Sequence, residues 1–329
     1  MLTHFSTNSN NRASNPLVAS RYFKSVDKLL DSDPQVIVDR MERLRQCLFR
    51  ISNMYIAVNG DVESLPHPVS AWDKLTEGAP KNDSELLPLD LQRDFLNEKG
   101  RNPGGISHIV PLASTDSSYA LFTAKGIDSR KDPRWPAFLV AMEYLQITEG
   151  VLWVAIRGQG FAYGFDIQNN VDRGSIQFTI DVSPKVFSAY TASRDLIAKI
   201  ASGEISIDAH DLEGAISTYV SAYAMGRRNF VSAGFNNFVN EIVRKLSKEE
   251  SADLFNRVRG VTVDQVREVI KEVVFPVFDP QKADMVVVCA KIMAEVSEIS
   301  LFLAVHSNFV SMESSGERAF RICTDFIWL

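Results

Sequence analysis

The sequence predicts an α+β fold in which antiparallel sheets carry helices packed on one face. Residues 176–182 alternate strictly between apolar and polar side chains, which is typical of a half-buried antiparallel strand. Residues 183–276 then show a succession of helix start and stop signals, and residues 283–290 form an apolar run of strand length. Strands that precede a run of helices, with one more strand at the end, indicate a sheet with helices on one face.

The bulk composition is that of a globular protein. The chain has 329 residues, of which 45% are apolar and 23% charged, and its net charge is −6. This length suggests about two domains. The acidic balance, without a cluster of Lys and Arg, argues against nucleic-acid binding. No apolar run has the length of a membrane span, so we expect neither nucleic-acid nor membrane partners.

Cysteine usage indicates the compartment. Cys47, Cys289 and Cys323 are odd in number and widely spaced, which argues for a reducing compartment and against a disulfide scaffold. We therefore expect a cytoplasmic protein. The first 26 residues are rich in Ser and Asn and contain no acidic residue, a weak transit-peptide character that makes the mitochondrial matrix the alternative.

The N-terminal third is predicted to hold few regular elements. Residues 1–25 are expected to be a disordered polar start. A helix begins at Pro34, and a short strand is predicted at residues 54–58. The helix carries an apolar stripe formed by Val36, Val38, Met41, Leu44, Leu48 and Ile51. Residues 97–107 are predicted to be a linker, which places a domain boundary near residue 105.

The second part contains the remaining elements in order. A strand at residues 119–123 precedes a helix at residues 136–156 with a break near Glu149–Gly150. After a glycine-rich turn, a strand passes through Phe161, Tyr163, Phe165 and Ile167. Capping residues and glycines then delimit five helices, at residues 184–202, 209–224, 229–246, 247–260 and 262–276.

Patterns for a metal, a cofactor or a nucleophile are incomplete. His210-Asp-Leu-Glu213-Gly214 resembles an inverted zinc motif, but Gly214 stands where the second His must be. The glycines at 158–160 follow a helix and precede a strand, the reverse of a dinucleotide-binding turn. No serine or cysteine has a nucleophile motif around it. We therefore predict no metal ligand, no cofactor and no catalytic residue in this chain.

The most informative stretch is residues 132–165. It places Arg157 at a helix end and Tyr163 on a strand, with a turn of small residues between them. Gly158, Gly160 and Gly164 would let another backbone approach closely. A guanidinium and a phenol can together bind a peptide carbonyl or the oxyanion formed there. The alternative is an arginine paired with a carboxylate and a tyrosine packed in the sheet.

This stretch resembles the C-terminal domain of insulinase/pitrilysin-type zinc metallopeptidases, in particular the presequence-protease-like branch. The likeness covers about residues 25–295. The matching residues are Tyr144-Leu145, Glu149-Gly150, Leu152-Trp153, Ile156-Arg157-Gly158, Gly160 and Ala162-Tyr163-Gly164. Downstream, Ser183-Pro184 and the helical region also resemble that domain, and upstream so does Gly60-Asp61-Val62.

The resemblance implies a half-enzyme that closes over a peptide substrate. Arg157 and Tyr163 match the family's substrate- and oxyanion-binding residues. The family's zinc motif and general base match nothing here, so zinc is expected in a separate N-terminal half and this chain is expected to be inactive alone. The alternative is a non-catalytic partner or core-type subunit of a larger complex. Its expected partners are a peptide substrate and a zinc-bearing half or homologous subunit.

The resemblance also implies a division into domains. Residues 26–105 match the C-terminal part of the penultimate peptidase-like domain plus a linker. Residues 106–299 match the C-terminal peptidase-like domain, and residues 300–329 form an atypical tail.

Overall fold

The computed structural model describes residues 16–50, 53–67, 70–77, 92–112 and 115–290, and the tail predicted at 300–329 lies outside them. The helices are α1 (Pro16–Ser32), α2 (Pro34–Leu48), α3 (Asp73–Thr76), α4 (Glu98–Arg101), α5 (Trp135–Gln146), α6 (Val151–Ile156), α7 (Val186–Ser202), α8 (Ala209–Met225), α9 (Phe230–Phe238), α10 (Lys248–Arg259) and α11 (Val263–Val269). The strands are β1 (Ser107–Leu112), β2 (Ser118–Lys125), β3 (Gly164–Asn170), β4 (Ser175–Ser183) and β5 (Ala283–Ala290).

The five strands form one sheet in the order β1-β5-β2-β4-β3. The pairs β2–β4, β2–β5 and β3–β4 are antiparallel, as the alternating pattern predicts. The edge pair β1–β5 is parallel, a departure from an all-antiparallel sheet. Parallel neighbours need a long connection, and the whole helical region lies between these two strands. The predicted α+β class is confirmed.

The core lies between the sheet and helices α5, α7 and α11. The strands and these three helices together contribute most of the buried apolar side chains. Aromatic rings mark its centre: Phe122 stacks on Tyr190 with ring centroids 4.7 Å apart, and Phe178 lies 5.0 Å from Phe278. The Tyr190 hydroxyl donates a hydrogen bond of 3.0 Å to the Phe278 carbonyl. Burial raises the pKa of this phenol.

Helix boundaries follow local capping chemistry. Ser247 and Glu250 form the predicted capping box at the start of α10, and Gly203 ends α7 with a φ of 82°. The predicted helix at 262–276 is α11 followed by a π-turn at Ile270–Val274 and a 3₁₀ turn at Phe275–Phe278. Pro276, which lacks an N–H donor, lies in that 3₁₀ turn.

The N-terminal region differs from its prediction in two places. Residues 16–25, expected to belong to a disordered start, form the first part of α1, which contacts α2, while residues 1–15 lie outside the described ranges. The strand predicted at residues 54–58 is wrong, because no described segment pairs with it and a strand exists only through such pairing. The side-chain amide of Asn59 instead donates to the carbonyl of Phe230 at the start of α9.

The apolar stripe on α2 is exposed. No residue of this helix is buried, and Met41 keeps 66% of its surface accessible. Val36 is half-buried, whereas the other members of the stripe on this helix, Val38, Met41, Leu44 and Leu48, are not covered by any described residue. Such a continuous apolar face is typical of a surface that another part of a protein covers.

The predicted linker is fixed to β5. The buried carboxylate of Asp284 accepts hydrogen bonds from the N–H groups of Gly104 and Ile106, at 2.9 and 3.1 Å. Gly104 has a φ of 146°, and a Cβ there would lie 2.4 Å from the Gln281 carbonyl oxygen, so only glycine fits. The domain boundary near residue 105 stays a prediction. It falls between the two residues, Gly104 and Ile106, whose N–H groups bind Asp284.

Candidate functional site

Backbone hydrogen bonds fix the turn between α6 and β3, which holds the predicted site residues. Four of its N–H groups, those of Gly158, Gly160, Phe161 and Tyr163, donate to backbone carbonyls at 2.9–3.1 Å. The buried hydroxyl of Ser183 also donates to the Phe161 carbonyl, at 2.6 Å. Because these four donors are paired, the backbone of the turn is fixed at both of its ends.

The break between α5 and α6 sets the direction of the short helix that leads to Arg157. Glu149 has a φ of 63°, and a Cβ on Gly150 would lie 2.3 Å from a methyl carbon of Ile147. The predicted break at these two residues is therefore confirmed. Leu152 and Ile156 are fully buried and anchor α6 on the core.

Arg157 and Tyr163 are brought together on the surface. The guanidinium carbon of Arg157 lies 4.5 Å from the centroid of the Tyr163 ring and 5.8 Å from that of Trp153, distances of a cation–π contact. Arg157 is exposed, and Tyr163 keeps 66% of its surface accessible. Among the described residues, no carboxylate pairs with Arg157. The pair thus differs from the alternative of an ion-paired arginine and a buried tyrosine.

The three glycines of the turn differ in what they permit. Gly160 has a φ of 67° with open space around it, and a Cβ on Gly158 would lie 2.7 Å from the Val154 carbonyl oxygen. The turn therefore requires glycine at both positions, for its backbone conformation at Gly160 and for space at Gly158. A Cβ on Gly164 would meet only an ordinary contact, 3.6 Å from the Cβ of Asp181. The approach of a substrate backbone to this turn remains a prediction.

Sequence reasoning missed Val182, which lies opposite Tyr163. The Tyr163 N–H donates to the Val182 carbonyl at 3.1 Å, just before the first β3–β4 pair. Val182 has a φ of 49°, which is rare for a β-branched residue. The alternating pattern placed it in a regular strand, and no local sequence signal distinguishes it from the other apolar residues of β4.

The described residues do not fit a zinc ion. His210 and Glu213 are exposed at the start of α8, and Gly214 occupies the position of the second ligand. Within the described ranges, no three His, Cys, Asp or Glu side chains come together as a metal site requires. Cys289 is buried and burial raises the pKa of its thiol, which disfavours the reactive thiolate.

In the part of the chain that the structure describes, no helix combines the length and the apolar character needed to cross a membrane.

Comparisons with known proteins give distant relatives. No protein-family model matches the chain. An uncharacterized protein of Schizosaccharomyces pombe is 29% identical over 265 residues, covering 80% of this chain and 26% of that protein. An uncharacterized protein of Saccharomyces cerevisiae is 24% identical over 260 residues, covering 77% of this chain and 25% of that protein. The chain thus spans about a quarter of the length of the curated relatives it matches.

A solved structure supports the fold. A protease from Helicobacter pylori matches with a TM-score of 0.53 and 14% identity, over 70% of this chain and 54% of that chain. At this identity the likeness shows the fold alone. The mixed sheet with its layer of helices is therefore an architecture that also occurs in a protease.

Proposed function

We propose that this chain is the C-terminal, substrate-binding part of a zinc metalloendopeptidase-like protein of the insulinase/pitrilysin type. The observation that carries the proposal is the exposed stack of Arg157 on Tyr163, held on a hydrogen-bonded turn. The resemblance of residues 132–165 to the presequence-protease-like branch supports the assignment of these two residues.

The geometry of the stack suits an oxygen ligand. The guanidinium carbon lies over the Tyr163 ring and Arg157 is exposed, so in this proposal its N–H groups donate to a peptide carbonyl. The phenol supplies a second donor. Donors aimed at one oxygen stabilise the charge that develops there during peptide hydrolysis, and loss of one such donor costs roughly 10²–10³ in rate in enzymes.

In this proposal, the zinc ion that hydrolyses the peptide is not bound by this chain. No His-x-x-Glu-His run occurs in the 329-residue sequence, so the proposal assigns the zinc-bearing half to another part of a longer protein or to a separate chain. We expect the 329-residue chain to bind peptide without hydrolysing it.

The exposed stripe of α2 supports the proposed domain division. In this proposal, residues 26–105 are only the last part of the penultimate domain, so α2 lacks the neighbours that would cover Met41 and Leu44. The curated relatives are about four times as long as the matched region, which leaves room for those neighbours.

Peptide binding to the full 329-residue chain tests the proposal. We expect R157Q to weaken the binding of a fluorescently labelled unstructured peptide at least about tenfold, because a charge-assisted donor is lost. R227Q is a matched control, since Arg227 also stacks on a tyrosine, with its guanidinium carbon 3.7 Å from the Tyr223 centroid. Equal affinity of R157Q and the unchanged chain would overturn the proposal.

A non-catalytic partner or core-type subunit is the second candidate. The exposed apolar face of α2 favours it, since a subunit of a complex needs such a contact surface. Purification of the tagged chain from its native cells distinguishes the candidates. Association with a stable complex whose other members lack a zinc motif would favour the subunit, and association with a zinc-bearing peptidase half would favour the first proposal.

A further inference from the structure

Val182 is strained without being buried. Its φ of 49° lies in the left-handed region, which costs a β-branched residue more than most. Val182 keeps 42% of its surface accessible, so burial of apolar surface offsets little of this cost. Strain that persists at an exposed position is more typical of a functional site than of a packing requirement.

A β-bulge produces this strain. Ser118 of β2 pairs with Ser183 and Ala120 pairs with Ile180, so one residue of β2 faces two residues of β4, Asp181 and Val182. Bulges bend a strand and redirect a side chain, and they are frequent beside active sites.

The bulge lies against the proposed substrate site. The Val182 carbonyl accepts the hydrogen bond from the Tyr163 N–H. The hydroxyl of the next residue, Ser183, donates a hydrogen bond to the Phe161 carbonyl. The bulged segment therefore fixes the backbone on both sides of Ala162. It also places the backbone of Val182 next to that of Tyr163.

Exposed apolar residues occur on both elements that carry the Arg157–Tyr163 pair. Tyr163, Val182 and Val154 are all exposed, and Val154 precedes Arg157 by one helical turn on α6. Isolated exposed apolar residues are ordinary. Here, however, the three are linked to one exposed arginine: Arg157 stacks on Tyr163, the Tyr163 N–H binds the Val182 carbonyl, and Val154 lies on the helix that ends at Arg157.

We infer that Val182 is a specificity-determining residue that, with Val154 and Tyr163, contacts an apolar side chain of the peptide whose carbonyl Arg157 binds. This inference rests on the proposed function. It defines the substrate class as extended peptides with a large apolar residue at the bound position. A glycine or an acidic residue there would leave the apolar surface uncovered and forfeit the gain from its burial.

Two substitutions of Val182 separate the effect of backbone strain from the effect of contact with the peptide. V182G removes both the strain and the side chain, so we expect Tm to rise by about 2–4 °C while the apolar contact is lost. V182T keeps the branched shape and the strain but adds a hydroxyl, so we expect an unchanged Tm and a weakened apolar contact.

The readout is the affinity ratio between two labelled, end-blocked peptides that differ only in one central residue, Leu or Gly. We expect the unchanged chain to prefer the Leu peptide about tenfold. Both Val182 variants should reduce this ratio to less than about threefold, because the apolar surface is smaller or more polar.

R157Q distinguishes this inference from the proposed function, because it should weaken both peptides equally. If R157Q weakens binding and both Val182 variants keep the full Leu preference, this inference alone fails. If R157Q has no effect, or if the unchanged chain binds neither peptide, the proposed function fails as well.

Discussion

The side-chain amide of Gln146 pairs with the backbone of Ile167 in both directions. Its nitrogen donates to the Ile167 carbonyl at 3.0 Å, and its oxygen accepts from the Ile167 N–H at 2.8 Å. Gln146 ends α5, and Ile167 lies on β3, one of the two edge strands of the sheet. The amide thus occupies edge groups that another strand could otherwise bind. It also ties the strand that follows Tyr163 to the helical layer.

We expect Q146A to destabilise the chain by about 1–3 kcal/mol, because two partly buried backbone groups lose their partner. Urea denaturation followed by circular dichroism measures this change. Q168A is the matched control, since Gln168 lies on the same strand and is exposed. Its effect should stay within about 0.5 kcal/mol. A Q146A variant as stable as Q168A would show that water replaces the amide at no cost.

The hydroxyl and the ring of Tyr163 should make separable contributions to peptide binding. We expect Y163F to weaken binding about three- to tenfold, because it removes the phenol donor and keeps the ring under Arg157. Y163A should weaken binding further, because the guanidinium also loses the surface that orients it. Fluorescence anisotropy with a labelled peptide measures both effects. If Y163F binds as tightly as the unchanged chain, the phenol is not a ligand of the carbonyl.

The buried phenol of Tyr190 predicts a loss of stability in alkali. Burial raises its pKa in the folded chain, whereas an unfolded tyrosine ionises near pH 10. The contribution is therefore fully present below about pH 10 and is lost progressively as the pH rises towards the higher folded value, because the unfolded chain then holds fewer protons.

Y190F should show a shallower loss of stability above about pH 10, since the substituted ring has no proton to lose. At neutral pH it should cost about 1 kcal/mol, because the Phe278 carbonyl loses its hydrogen bond. Y119F is the control, since Tyr119 is exposed. Parallel pH profiles for Y190F and the unchanged chain would contradict the prediction.

Local signals predicted most of the second part of the chain. The alternation in β4, the apolar run of β5 and the capping box at Ser247 each depend on residues close in sequence. The parallel β1–β5 pair and the two hydrogen bonds between Gln146 and Ile167 join residues that are distant in sequence, so no local pattern indicates them. The strand predicted at residues 54–58 is wrong for a related reason. An apolar pattern can suggest a strand, but it does not show whether another strand is available to pair with it.

The candidate site follows the same division. Arg157 and Tyr163 are separated by six positions, so a glycine turn between a helix and a strand could be expected to bring them together. The strain at Val182 arises from the register of β4 against β2, which only the folded sheet defines. The sequence therefore indicated Arg157 and Tyr163 as a pair but gave no sign of the strained Val182 that is hydrogen-bonded to Tyr163.

The exposed stripe of α2 makes a last prediction. Met41 and Leu44 are accessible, so the double substitution M41E/L44E should change the free energy of unfolding by less than about 0.5 kcal/mol. V266E is the contrast, because Val266 is fully buried in α11 and an unpaired carboxylate there should prevent stable folding. Sedimentation velocity should show less self-association for M41E/L44E, since an exposed apolar face promotes it. A loss of stability comparable to that of V266E would mean that residues outside the described ranges cover the stripe, and the proposal of a penultimate domain that lacks its neighbours would then be wrong.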